Sequence, residues 1–193
     1  MKNKKGFTLI ELLAVIVILA ILLAVAIPMV TKYISDSRKD SLVTTAKEFA
    51  DAVEKDATGG KYELPIGNDE VTIVSLDLMS LQKGGTKSPF NAKWTIDSSY
   101  VAIINVGTDI DPVYRYFVTL ADAKRYTIAL SDAEKIKSNM VLRNNVSKTK
   151  AIVSPMCGNR NGKYSVVANI AGLEDYKVGN SWSVTAYSGD DCE

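Results

Sequence analysis

Apolar residues run along this chain in three different ways. From Phe7 to Val30 they are nearly continuous, interrupted only by Thr8, Glu11 and Pro28. A helix that is apolar on every side has no solvent face, so it must be buried all round. The 19 residues from Leu12 to Val30 rise roughly 28 Å as a helix, close to the hydrocarbon thickness of a bilayer. Pro28 removes one backbone hydrogen bond there, which predicts a kink or local melting. Beyond it the pattern becomes one-faced. Leu42, Ala46, Phe49, Ala50, Val53 and Ala57 form a single helical stripe, with Asp40, Lys47, Asp51, Glu54 and Lys55 on the other faces. Gly59-Gly60 closes the element. The pattern thus predicts one helix from Phe7 to Thr58, roughly 78 Å long.

The third manner is short and alternating. Tyr62–Val74 reads as a polar loop with one apolar, strand-like stretch, and Ser75–Lys83 as a short helix stopped by Gly84-Gly85. Strands are predicted at Lys93–Asp97, Tyr100–Val106, Val113–Leu120, Arg125–Leu130, Lys163–Ile170 and Ser181–Tyr187. Tyr114, Tyr116, Val118 and Leu120, then Tyr126, Ile128 and Leu130, suggest one packed face and one wetted face. Ser131-Asp132-Ala133-Glu134 matches a capping box, predicting a short helix to about Met140. Turns at 107–112 and 121–124 make an antiparallel meander the expected topology. The stripe from Leu42 to Ala57 is the natural cover for its packed face. The fold class is therefore α+β, a long N-terminal helix whose second half lies on an antiparallel sheet. No internal repeat or low-complexity tract interrupts it.

Composition removes several function classes. The chain has 193 residues and no histidine, so histidine-dependent triads, bases and zinc sites are excluded. Its net charge of +1 gives no field for phosphate, and no nucleic-acid partner is expected. Phosphate-binding glycine loops, nucleophile elbows and paired-carboxylate signatures are missing, and no cofactor is implied. Asp109 and Asp111 beside Gly107, and Asp190-Asp191, fall short of a calcium loop, so no metal is assigned. Asn145-Val146-Ser147 is a glycosylation-type tripeptide of little specificity. Tyr62, Tyr100, Tyr164 and Tyr187 are candidate adhesive contacts, though strand residues with a polar tip explain most of them.

The chemistry worth following lies at the start of the apolar run. Lys2, Lys4 and Lys5 precede it, which places the N-terminus in the cytoplasm and the bulk of the chain outside. A cleaved secretory signal would use Ala24-Val25-Ala26, and a plain anchor would fit the length. Neither has a use for Glu11, because a carboxylate within a membrane helix costs about 2.5–3.5 kcal/mol on insertion scales. Gly6-Phe7-Thr8-Leu9-Ile10-Glu11, behind a lysine-rich leader and before an unbroken apolar helix, resembles the class III signal of type IV prepilins. The resemblance is sharp over about residues 2–35 and only architectural beyond.

That resemblance implies cleavage between Gly6 and Phe7 by a membrane-embedded prepilin peptidase, with N-methylation of the new Phe7 amine. It divides the chain into a leader (1–6), a transmembrane and assembly helix (7–30), an amphipathic helix on the head (31–60) and a globular head (61–193). Glu11 could then be met by its own helix N-terminus and freed Phe7 amine, or lie at the interface wetted by headgroups. A neighbouring copy's Phe7 amine is the better partner and makes Glu11 a register-setting charge in a greasy seam. Around Pro28 the helix would loosen as copies pack. The precursor would sit in the inner or cytoplasmic membrane. The mature chain, at about −2 after loss of three lysines, would form a homo-oligomeric extracellular fibre on the bacterial surface with the help of assembly machinery. Such a fibre serves adhesion, twitching motility or surface attachment; a minor pilin or a pseudopilin of secretion or DNA uptake is the alternative, and a membrane-tethered hydrolase has no motif to support it. With the head outside, Cys157 and Cys192 are expected to form a disulfide. That bridge would be worth roughly 4 kcal/mol in the chain-entropy account and would staple the tail to the head.

Overall fold

The computed structural model describes residues 6–78, 87–95, 98–123, 126–143 and 162–187. The chain divides into two compact units, Met1–Arg38 and Lys39–Glu193. Helix α1 spans Leu9–Thr58 without a break and contributes to both. The first unit buries none of its long apolar side chains. The second holds the sheet and the hydrophobic core.

The stripe read from the sequence is the buried face of α1. Leu42, Ala46, Phe49 and Val53 have essentially no exposure, and Val43, Thr45, Ala50 and Ala57 flank them. The helix stops where expected, and the bonding shows why. Gly60 takes φ +79°, a left-handed conformation. The Gly60 N–H then donates to Ala57 O at 3.0 Å and the Lys61 N–H to Asp56 O at 3.0 Å. These two bonds make a Schellman cap that satisfies the last carbonyls. The Lys61 Nζ also lies 2.6 Å from Asp56 Oδ2, which raises the lysine's pKa.

Among the described residues the sheet has seven strands: β1 Glu70–Ser75, β2 Tyr100–Asn105, β3 Tyr114–Ala121, β4 Tyr126–Asp132, β5 Val141–Arg143, β6 Gly162–Val167 and β7 Trp182–Tyr187. Their order is β5-β4-β3-β2-β1-β7-β6. The α+β class holds, but the sheet is mixed. Every neighbouring pair is antiparallel except β1 and β7, where Val71 faces Val184 and Ile73 faces Ala186 in parallel register. A hairpin turn dictates an antiparallel partner, whereas β7 arrives through a long connection that imposes no direction. The strand-like stretch in the expected loop is β1, which lies between β2 and β7 and is buried along nearly its whole length.

Three local expectations change. Ser131–Met140 is not a helix: Ser131 and Asp132 end β4, a turn follows, and only Ser138–Met140 makes a 3₁₀ turn. Ser131 pairs with Val118 across the sheet, and Asp132 is engaged by Arg115 at 3.1 Å and Lys135 at 3.4 Å. Sheet pairing and these charges outcompete the capping box. The Lys93–Asp97 strand reduces to isolated bridges from Lys93 to Lys87 and Trp94 to Asp122, with Ile96 and Asp97 outside the described residues. Ser75 closes β1, and of the short helix expected at Ser75–Lys83 the structure describes only a 3₁₀ turn at Leu76–Leu78.

The sheet also has no wetted face in its centre. Val74, Val101, Ile103, Val118, Leu120 and Ile128 pack with the α1 stripe. On the opposite side Ile73, Ala102, Ile104, Phe117, Trp182 and Val184 pack with Ile170 and Leu173 from the β6–β7 connection. Leu130 joins this second cluster, although the alternation along the sequence groups it with Ile128. A bulge between the Val118 and Leu120 pairings shifts the register of β4 there, and one extra residue reverses the face.

Two buried polar side chains organise the loops. Asn105 Oδ1 accepts from Gly107 N at 2.9 Å and Val113 N at 3.1 Å, while its Nδ2 donates to Ile66 O at 2.7 Å. A Cβ at Gly107 would lie 2.3 Å from Asp111 O, so this turn requires glycine. Asp122 accepts from Ser88 Oγ at 2.8 Å and Tyr126 N at 3.0 Å, tying residues 87–95 to the β3–β4 turn.

Two measurements check this packing on the full chain in detergent micelles. Phe49→Ala should destabilise the second unit by about 3–5 kcal/mol in urea unfolding, since it empties the centre of the helix–sheet core. Burial, with Glu54 and Tyr114 nearby, pushes the Tyr116 phenol up to about 12. The unfolded chain releases that proton near 10, so the folded state binds more protons between the two values and stability falls as pH rises through them. Tyr116→Phe should make the fall between pH 10 and 12 shallower without changing stability below 10.

Candidate processing and assembly site

Gly6, Phe7, Thr8 and Glu11 come together at the first turn of α1. Thr8 is the helix N-cap: its carbonyl accepts from Leu12 N at 3.2 Å, the first bond of the ladder. The Thr8 N–H donates to Glu11 Oε2 at 2.8 Å, and the Thr8 hydroxyl donates to the same oxygen at 2.7 Å. In return Glu11 N donates to Thr8 Oγ1 at 3.3 Å. Threonine and a glutamate three positions later thus satisfy each other's first-turn groups, a capping box. The carboxylate also stands at the positive end of the helix dipole. Both bonds to the carboxylate use Oε2, leaving Oε1 outside the box.

Thr8 is the residue that reading the sequence missed. Its signal was present as Thr8-x-x-Glu11, the same spacing as Ser131-x-x-Glu134. Among the described residues no strand pairs with this turn and no salt bridge engages Glu11.

Phe7 is 89% exposed, and a Cβ built at Gly6 would meet nothing within 4 Å. Among the described residues nothing near position 6 requires a glycine. Pro28 lies about 26 Å further along the helix, outside this cluster. The helix is uninterrupted there, and the Thr31 hydroxyl donates to Ile27 O at 3.1 Å and Pro28 O at 3.0 Å. Every large apolar side chain from Leu9 to Val30 is about half exposed or more, Val17 least at 49%. Among the described residues α1 alone is long and apolar enough to cross a membrane, with a mean hydropathy of 3.2 over its most apolar window.

The other candidates part from this cluster. Tyr62, Tyr100 and Tyr187 are buried, so they offer no adhesive surface. The Tyr62 and Tyr187 rings pack 5.0 Å apart, and the Tyr187 hydroxyl accepts from Glu63 N. Asp109 and Asp111 sit exposed in the β2–β3 turn, and among the described residues no three His, Cys, Asp or Glu side chains gather where they could hold a metal. Cys157, Cys192, Asn145 and Asp190-Asp191, with the Tyr164 side chain, lie outside the described residues. A groove of about 410 Å³ between Lys47–Glu54 and the start of β3 carries Tyr114, Tyr116, Arg115 and Asp132, with charges of both signs.

Residues 1–27 match the model of the prokaryotic N-terminal methylation motif. This is the class III signal of type IV pilins, and it marks the chain as type IV pilin-like. No solved structure matches the chain.

The capping box has a direct test. Thr8→Val keeps the shape but removes the acceptor for Glu11 N, at a cost of about 1 kcal/mol. Hydrogen exchange of the Glu11 amide in micelles should rise roughly five-fold, while amides beyond Leu13 stay unchanged.

Proposed function

We infer that the chain is the precursor of a major pilin, cut between Gly6 and Phe7 and then assembled through its N-terminal helix into an extracellular fibre. The observation that carries this reading is the methylation motif at the head of a helix whose apolar surface has no cover within its own unit. Before assembly, lipid would cover that surface. Afterwards, the same segments of other copies would.

Gly6 supports the processing role because nothing described near it requires a glycine. A residue without a side chain leaves the backbone open to a peptidase working at the membrane edge. Cleavage there would create a free amine on Phe7, next to Thr8. Glu11 would then hold its own first turn through Oε2 and present Oε1 to the Phe7 amine of a neighbouring copy. A charge pair in so apolar a seam discriminates one axial register from all others, since every wrong register strands both charges. Loosening at Pro28 during packing, and a Cys157–Cys192 bridge closing the tail of the head, complete the reading. The fibre would act in attachment, adhesion or motility outside the cell.

Mass spectrometry of the native N-terminus tests it. A chain beginning at N-methylated Phe7 is expected; a start at Ile27 would indicate an ordinary signal peptide, and a start at Met1 a plain anchor. The chain should also be the dominant band of purified fibres. Glu11→Val should leave cleavage intact yet reduce fibre yield at least about ten-fold, the scale of a lost pairing worth 1.4 kcal/mol or more. Normal fibre yield from that variant would refute the register role.

A further inference from the structure

Beyond Glu11, the apolar run ends at Thr31-Lys32-Tyr33, and this end has features of its own. Tyr33 is 75% exposed and Lys32 is exposed beside it. Thr31 is polar only in name, because its hydroxyl already donates to the carbonyls of Ile27 and Pro28. A hydroxyl bonded within its own helix enters hydrocarbon at little cost. Lys32 and Tyr33 are different. An exposed lysine can lay its methylenes along an apolar boundary and keep its ammonium among phosphates. Tyrosine combines an apolar ring with a polar tip, which suits the headgroup level.

The spacing between the two ends gives these residues their meaning. From Glu11 to Thr31 the helix advances 20 residues, which is about 30 Å. That is the thickness of a bilayer's hydrocarbon core. The capped turn with its carboxylate and the Lys32–Tyr33 pair therefore reach opposite boundaries together. No other placement serves both. Sliding the helix a turn outward would draw Glu11 into hydrocarbon, and a turn inward would draw Lys32 in.

We propose that Lys32 and Tyr33 form a phospholipid-headgroup anchor that sets the depth of the helix before assembly, with Leu12–Thr31 in hydrocarbon and Glu11 at the far boundary. The proposal rests on the membrane-inserted precursor inferred above. The ammonium of Lys32 faces lipid phosphates and the Tyr33 phenol faces water and glycerol oxygens. Depth matters to assembly, because it holds Glu11 at the cytoplasmic boundary, within reach of the processing step at Gly6.

The test uses the full chain in vesicles of phosphatidylcholine and phosphatidylglycerol whose acyl chains are brominated either near the glycerol or near the chain end. Tyr33→Trp and Ile21→Trp report depth, with the signal of Trp94 and Trp182 subtracted from the parent chain. Quenching of Tyr33→Trp should be stronger with the shallow bromines, and that of Ile21→Trp with the deep ones. In a Met29→Trp background, Lys32→Ala combined with Tyr33→Ala should change the shallow-to-deep quenching ratio by about two-fold or more. An unchanged ratio, or a Tyr33→Trp signal untouched by either lipid, overturns the anchor. If the ratio is unchanged and Tyr33→Ala lowers fibre yield, Tyr33 belongs to a contact between copies instead. Failure of Ile21→Trp to quench would refute membrane insertion itself, an outcome distinct from loss of the anchor alone.

Discussion

An apolar surface that its own unit cannot cover must find its cover elsewhere. From Leu9 to Val30 this helix has such a surface on every side. At about 25 cal/mol per Å² of apolar area removed from water, no arrangement that leaves it wet is stable. The placement of charge follows from the same constraint. Charges gather at the two ends of the run, and only one carboxylate approaches it from within.

That carboxylate is in a better position than its charge suggests. A glutamate in the first turn of a helix meets unpaired N–H groups and the positive end of the dipole, so Glu11 is stabilised by its own backbone and by Thr8. This tempers the idea that a neighbouring amine alone can satisfy it. In the function proposed above, a carboxylate capped in this way would tolerate the membrane boundary and still keep one oxygen for a partner. The bonds to Thr8 and the inferred bond to a neighbour are therefore complementary.

The second unit solves the burial problem in the ordinary way, by layers. The α1 stripe covers one side of the sheet, and Ile170 and Leu173 cover the other. Because both sides are covered, the central strands β1 and β2 are buried along nearly their whole length, and β2 is apolar from Tyr100 to Ile104 rather than alternating. Loops around this core are held by buried polar side chains, Asn105 at one turn and Asp122 at another, each with several hydrogen bonds in place of water.

Periodicity along the sequence determined the long helix, its buried stripe, its glycine stop and most strands, since each depends on residues within a few positions of one another. The motif around Gly6, Phe7 and Glu11 was legible for the same reason. What only the tertiary structure decided involved partners far apart in the chain. The parallel pairing of β1 with β7 depends on where a long connection lands. The second core depends on Ile170 and Leu173 meeting strands formed roughly 50 to 100 residues earlier. The two capping-box matches show the limit most plainly. Thr8 and Glu11 form theirs where no described strand pairs with the turn, whereas Ser131 and Glu134 lose theirs to a pairing with Val118 and a charge on Arg115. Local spacing proposes a bond, but the surrounding packing determines whether a stronger one replaces it.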